Sequence, residues 1–194
     1  MLPVLLVAGA PFFSSSLSAQ ADPSQCWLRG ATVEEAAVRP SPLGVVAIPM
    51  GEQTAQLCYG RPSANERVVM GELVPFGSLW RVGANEATSI HLPFAAEIGD
   101  VAVPAGSYSI YASPGAEEWT FYVNSVHERW GVPINAEVRA TELGSFTRPS
   151  STIDDMVETL DISFASHGAM MGHLVLLWEN TKVEIPIHMA GMQH

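Results

Sequence analysis

From Gln53 onward, apolar and polar residues alternate in short runs broken by glycine and proline. T-A-Q-L-C-Y (54–59) alternates, and T-S-I-H-L (88–92) follows a turn-like G-A-N. Y-S-I-Y (108–111) and W-T-F-Y-V (119–123) each follow a Pro/Gly turn. N-A-E-V-R-A (135–140) alternates again, and M-V-E-T-L-D-I-S-F (156–164) puts Leu160, Ile162 and Phe164 on one face. H-L-V-L-L-W (173–178) is apolar throughout, as a buried strand is, and E-N-T then turns the chain into K-V-E-I-P-I (182–187). A period of two, with turn residues at regular spacing, predicts strands. No strand–helix alternation and no internal repeat is present. The pattern predicts an all-β fold: an antiparallel β-sandwich, jelly-roll-like, behind a short N-terminal helix. That helix is placed near 33–39, where Thr32-Val33-Glu34-Glu35 has the spacing of a capping box.

The first 21 residues carry no charge, and Met1 to Phe13 is nearly all apolar. Ala19-Gln20-Ala21 follows, so the segment has a secretory apolar region and an A-x-A cleavage site. No Lys or Arg precedes it, which an ordinary signal would have. A helix of that length would span about 31 Å, close to a bilayer core, so a retained anchor is the alternative. The expected division is 1–21 as signal peptide or anchor, 22–50 as a proline-punctuated lead-in with the short helix, and 51–190 as the β-sandwich domain. An extracytoplasmic address makes Cys26 and Cys58 candidates for a disulfide. Two separate buried thiols are the alternative to that disulfide, and lipid attachment at Cys26 is the least supported, since Ser24-Gln25 is the wrong context for it.

At 47% hydrophobic residues, the chain can build one proper core. Its formal net charge of −11 argues against a nucleic-acid partner and against charge-driven binding to anionic lipid. Membrane contact is expected only through residues 1–21.

Three stretches are distinctive: Y-G-R-P-S (59–63), G-E-L-V-P-F-G-S-L-W-R (71–81) and V-G-A-N-E-A-T (82–88). With P-A-G-S-Y-S (104–109), E-W-T (118–120), W-G (130–131) and L-W-E (177–179), they resemble a bacterial family, the domain of unknown function numbered 2911. The resemblance covers essentially the whole folded part. It implies an exported, mostly β domain with no established activity. The family usually has K-G-R after R-P-S; here Asn65-Glu66-Arg67 stands in its place, removing a positive charge and a turn glycine.

Arg61, Arg81, Asn85, Glu86 and Thr88 fall in the most family-like stretch. They read as a ligand pocket in which arginine clamps an anion. They also read as a structural network, with Arg81 paired to Glu86 and Asn85 serving a tight turn. No histidine pair has zinc-type spacing. His188, Met189, Met192 and His194 offer imidazole and thioether, which suit copper, and Met170, Met171 and His173 form a second such group. A Met-padded core and a frayed tail account equally for both. Five tryptophans read as core before they read as a sugar platform. G-x-S-x-G, the P-loop and G-x-G-x-x-G are absent, and no cofactor is called for. The expectation is a non-enzymatic extracytoplasmic binding or structural module. In its specific form it is an accessory subunit on the outer face of a membrane-protein complex for transport, respiration or photosynthesis. The rivals are a secreted hydrolase-like enzyme using Arg81, Glu86 and a histidine, and a small-ligand or copper-binding protein.

Overall fold

The computed structural model describes residues 20–191. The expectations for residues 1–19, Met192 and His194 lie outside them. Nine strands form the body: β1 (Leu43–Met50), β2 (Gln53–Gly60), β3 (Ser89–Leu92), β4 (Ala96–Ile98), β5 (Val101–Val103), β6 (Gly106–Pro114), β7 (Glu118–Asn124), β8 (Glu142–Ser166) and β9 (Met171–Met189). Two short helices, α1 (Val33–Ala37) and α2 (Ala136–Arg139), accompany them. The strand order is β1-β2-β3-β6-β7-β8-β9-β4-β5, and the paired neighbours run antiparallel. The order is a meander, except that the β4–β5 hairpin crosses over to pair with β9.

Two-residue alternation turns these strands into a sandwich. In β7, Trp119, Phe121 and Val123 are buried while Thr120 and Tyr122 are half-buried. In β4 and β5, Ala96, Ile98, Val101 and Val103 point inward while Glu97 and Ala102 are exposed. The long strand β8 joins the two sheets: its first part, to Pro149, pairs with β7, and from Ser150 it pairs with β9. Glu179 in β9 adopts a left-handed conformation, with φ +54°. There β9 bends without a turn: its ladder with β8 runs on from Glu179 to Thr181, Lys182 and Val183, so the expected E-N-T turn is not formed and the two halves of β9 are arms of one bent strand. The Met189 N–H donates to the Met170 carbonyl at 2.8 Å. Ile185 from the second arm packs beside Leu174 and Leu176 of the first, against Leu57, Val82, Ile110 and Ile162 from the rest of the sandwich. The Glu179 carboxylate accepts the Val69 and Met70 N–H groups, both at 3.2 Å, which holds the bend.

Tryptophan fills the core's centre. Trp80 stacks on Trp178 with ring centroids 5.7 Å apart, and meets Trp119 edge-on at 5.8 Å. Core burial is therefore the role of three of the five.

Two elements differ from expectation. Residues 135–140 are not a strand but contain α2. Asn135 caps that helix by accepting the Val138 N–H, and buried Asn124 donates to the Val138 carbonyl at 2.6 Å. A side-chain cap satisfies those groups locally, and six residues are too few for alternation to decide between the two forms. The other difference is β1, which falls within 22–50. It pairs with β2 along its whole length, so it belongs to the sandwich rather than to the lead-in. Helix α1 is as the sequence predicts, and both bonds of the Thr32–Glu35 capping box are formed. Among the described residues, no helix is long and apolar enough to cross a membrane.

Candidate functional site

The backbone of the segment Arg81–Thr88 is tightly constrained. Val82 and Asn85 both have positive φ, at +55° and +63°. A side chain on Gly83 would press on Thr88 Oγ1 at 2.9 Å and on the Gly60 carbonyl at 3.0 Å. One on Gly60 would collide with the Ala84 carbonyl. Glycine at these positions lets two backbones pass in direct contact, with the Ala84 N–H donating to Gly60 O at 3.2 Å. The buried Thr88 hydroxyl donates to the Val82 carbonyl at 2.9 Å and closes the loop on itself.

This loop holds the chain that precedes the sandwich. Both Glu86 carboxylate oxygens accept from Arg39 Nη1, at 2.9 and 3.1 Å, and one also accepts the Arg29 N–H at 3.0 Å. Asn85 donates its amide to the Ser41 carbonyl at 2.9 Å. The other side of the loop takes 127–131: Gly131 N–H donates to Asn85 O, and Ala87 N–H to Arg129 O. Cys26 and Cys58 are disulfide-bonded, with Cα atoms 5.8 Å apart. Gln56 sits beside that bond; its Oε1 accepts the Asp22 N–H and its Nε2 donates to the Asp22 carbonyl, both at 2.8 Å. Residues 22–42 thus form a strap fixed at Asp22, Cys26, Arg29, Arg39 and Ser41. The cavity left between strap and body is about 10 Å³, lined by Trp27, Arg39, Asn85 and Glu86 among others. That is room for about one water.

The five polar residues singled out from sequence are not gathered around one cavity: Asn85 and Glu86 line the small space under the strap, and Thr88 faces the core. Glu86 pairs with Arg39, not with Arg81. The Arg81 side chain lies across Gly131, where a Cβ would meet its Cδ, and its Nε donates to Gly83 O at 3.3 Å. Burial pushes the Arg81 guanidinium below its ordinary value, against the opposing attraction of Glu86. Arg61 stands apart and ties the end of β2 to β8, through Asp161 at 2.9 Å and the Leu160 carbonyl at 3.4 Å. In the Asn65-Glu66-Arg67 segment, Arg67 donates to the Ala64 and Ser63 carbonyls and so closes its own turn. Sequence reading missed Arg39, Arg29 and Gln56, because no spacing rule links a strap to the loop it crosses.

Two histidine groups remain. His91 Nδ1 lies 2.8 Å from Ser107 Oγ and its Nε2 lies 3.3 Å from Ser89 Oγ, with the His127 ring edge-on at 5.5 Å. Burial, and then the His127 ring, hold His91 below its ordinary value. The ring faces a shallow groove of about 530 Å³ with Gln25, Thr54, Leu92 and Ser107. The second group is at the β8–β9 turn, where the His167 and His173 rings lie 4.6 Å apart. Of the candidate copper ligands, Met189 packs against the core, while His188 stands opposite Glu97. Among the described residues, no three His, Cys, Asp or Glu side chains are grouped to hold a metal ion.

No curated protein and no solved structure matches the chain. A family model does: that of the protein of unknown function DUF2911, over residues 41–187, which take in every strand but the last two residues of β9. The chain, with its braced Arg81–Thr88 loop and its sandwich core, belongs to the DUF2911 family.

Proposed function

We propose that this protein is an exported, non-enzymatic module that docks onto membrane-embedded protein, with its N-terminal segment as tether. The observation that carries the reading is the strap. The polar residues that would make a site in the signature segment are used instead to fix residues 22–42 to the body. A ligand pocket leaves such groups facing an open volume; here the space is about one water in size. The lead-in is thus not a loose spacer between membrane and domain. The paired bonds at Asp22 fix the start of the strap to the body, so a membrane tether attached there would fix the orientation of the sandwich as well as its location. The disulfide supports an oxidising, extracytoplasmic compartment. The test is gentle detergent extraction of the native envelope, followed by intact mass of everything that co-purifies. This account expects stoichiometric membrane-protein chains. Recovery of the domain alone, as a soluble monomer, would overturn the docking reading.

A further inference from the structure

Between Pro149 and Ser150, β8 changes partner from β7 to β9. At that crossing a groove of about 270 Å³ is lined by Arg148, Ser150, Ser151, His173, Lys182 and Glu184. Period-two alternation brings the β9 groups there: Val183, Ile185 and Ile187 are buried, so Lys182 and Glu184 face outward with Pro186. Ser151 stands directly across from Lys182. His173 comes from the first arm of β9, and the His167 ring meets its ring at 4.6 Å. Pro149 and Pro186 add apolar surface to the lining.

The charge of this groove is opposite to that of the chain. The chain has 9 Lys and Arg against 20 Asp and Glu, and Lys182 is its single lysine. The groove is lined by two cations, Arg148 and Lys182, against one carboxylate, Glu184. Both cations keep donors in reserve. Lys182 Nζ bonds Glu184 at 2.8 Å, which leaves two of its three N–H groups. Arg148 makes three bonds, two to Asp100 at 3.0 and 3.2 Å and one to the Thr147 carbonyl, which leaves two of its five N–H groups. The Asp100 and Glu184 side chains are 66% and 45% exposed, and ion pairs this open to water are weak, so an incoming anion can share both cations. The bond to Lys182 also holds the Glu184 carboxyl below the ordinary carboxylate range, with lesser help from His173 and His167. Glu184 is therefore an acceptor, which repels a bare anion but receives hydroxyl groups.

We infer that this groove binds a small hydroxylated acid, one sugar ring carrying a carboxylate or a phosphate. Arg148 and Lys182 take the acid group through charge-assisted hydrogen bonds. Glu184 accepts from ring hydroxyls, and Ser151 and His173 offer further polar contacts. Pro149 and Pro186 meet the C–H surface of the ring, the mixture of apolar lining and few polar groups that small-molecule sites use. At about 30 Å³ per water the volume equals that of about nine waters, which is room for one ring and its acid group. The site uses none of the strap residues and stands independently of the docking proposal.

The test is titration of the purified, nitrogen-15-labelled full chain with galacturonate, glucose 6-phosphate, glucose and inorganic phosphate, read by amide chemical shifts. At least one of the two sugar acids should bind with Kd below about 1 mM, with shifts centred on 148–151, 173 and 182–184. The tighter of the two names the acid group. Lys182→Gln and Arg148→Gln should each weaken that binding by about ten-fold or more. Arg139→Gln removes a positive charge outside the groove, where Arg139 bonds Glu142, and should leave binding unchanged. Glucose binding as tightly as the acids would overturn the role of the two cations. Phosphate binding as tightly would overturn the role of the ring and of Glu184. Failure of both acids to give saturable shifts at the groove, or an equal loss in Arg139→Gln, would overturn the site.

Discussion

Replacing Glu86 with glutamine separates a brace from a binding site. In the native protein both carboxylate oxygens accept from Arg39 Nη1, at 2.9 and 3.1 Å, and one takes the Arg29 N–H. The Arg39 and Glu86 side chains are 22% and 12% exposed, so water screens the pair only in part. Hydrogen bonds to a charged group contribute about 1.5–3 kcal/mol each, and an uncompensated, fully buried charge costs about 3–5 kcal/mol. Glutamine keeps the shape and one acceptor, and partial exposure lowers the penalty, so the change should cost about 2 kcal/mol. In a chain of this size that lowers the melting temperature by about 4–8 °C. Urea unfolding without reductant measures it, and a double-mutant cycle locates it. Arg39→Met with Glu86→Gln should show a coupling of about 1–2 kcal/mol, and Arg81→Met with Glu86→Gln below about 0.5 kcal/mol. Coupling to Arg81 rather than Arg39, or a stable Glu86→Gln protein that has lost a binding activity, would refute the brace.

Three further outcomes follow from the same contacts. Cys58→Ser opens a loop with a sequence separation of 32, which on a chain-entropy basis costs about 3.7 kcal/mol; an unchanged urea midpoint under oxidising conditions would mean the strap holds without it. Gly60→Ala drives a methyl group into the Ala84 carbonyl and should cost about 3 kcal/mol in urea unfolding, whereas Gly191→Ala, with open space around it, should cost almost nothing. His91 is held below its ordinary value of 6.5, by burial first and by His127 second, so the fold is at full strength above that pH. As pH falls below 6.5 the unfolded chain takes up a proton that the folded protein resists, and stability declines until the folded group itself titrates. His91→Gln should flatten that slope in a pH series of urea midpoints, and an unaltered slope would assign it to other groups.

Alternation made the sandwich legible, because a strand with one buried face writes its period into the sequence, as Trp119, Phe121 and Val123 do. The break in the apolar run at E-N-T suggested a turn, but it marks a bend: Glu179 takes a left-handed conformation while β9 stays paired with β8. Residues 135–140 misled because a short capped helix and a short strand can share one hydrophobic pattern, and the deciding bonds come from Asn135 and the distant Asn124. The signature loop was visible as a dense string of glycine and polar residues, but its partners were not. Glu86 could be matched by sequence only to a nearby arginine, Arg81, whereas its actual partner Arg39 is 47 residues away and set by how the strap crosses the loop.

The central claim is an exported module whose N-terminal segment ties it to membrane protein, with the strap fixing the point of attachment. Intact mass of the native protein from the membrane fraction, read together with its N-terminal residue, tests this most directly. The account predicts a chain that keeps the apolar segment, has Cys26 and Cys58 oxidised, and is recovered with membrane-protein partners. A mature chain beginning at Asp22, found soluble and monomeric, would contradict it.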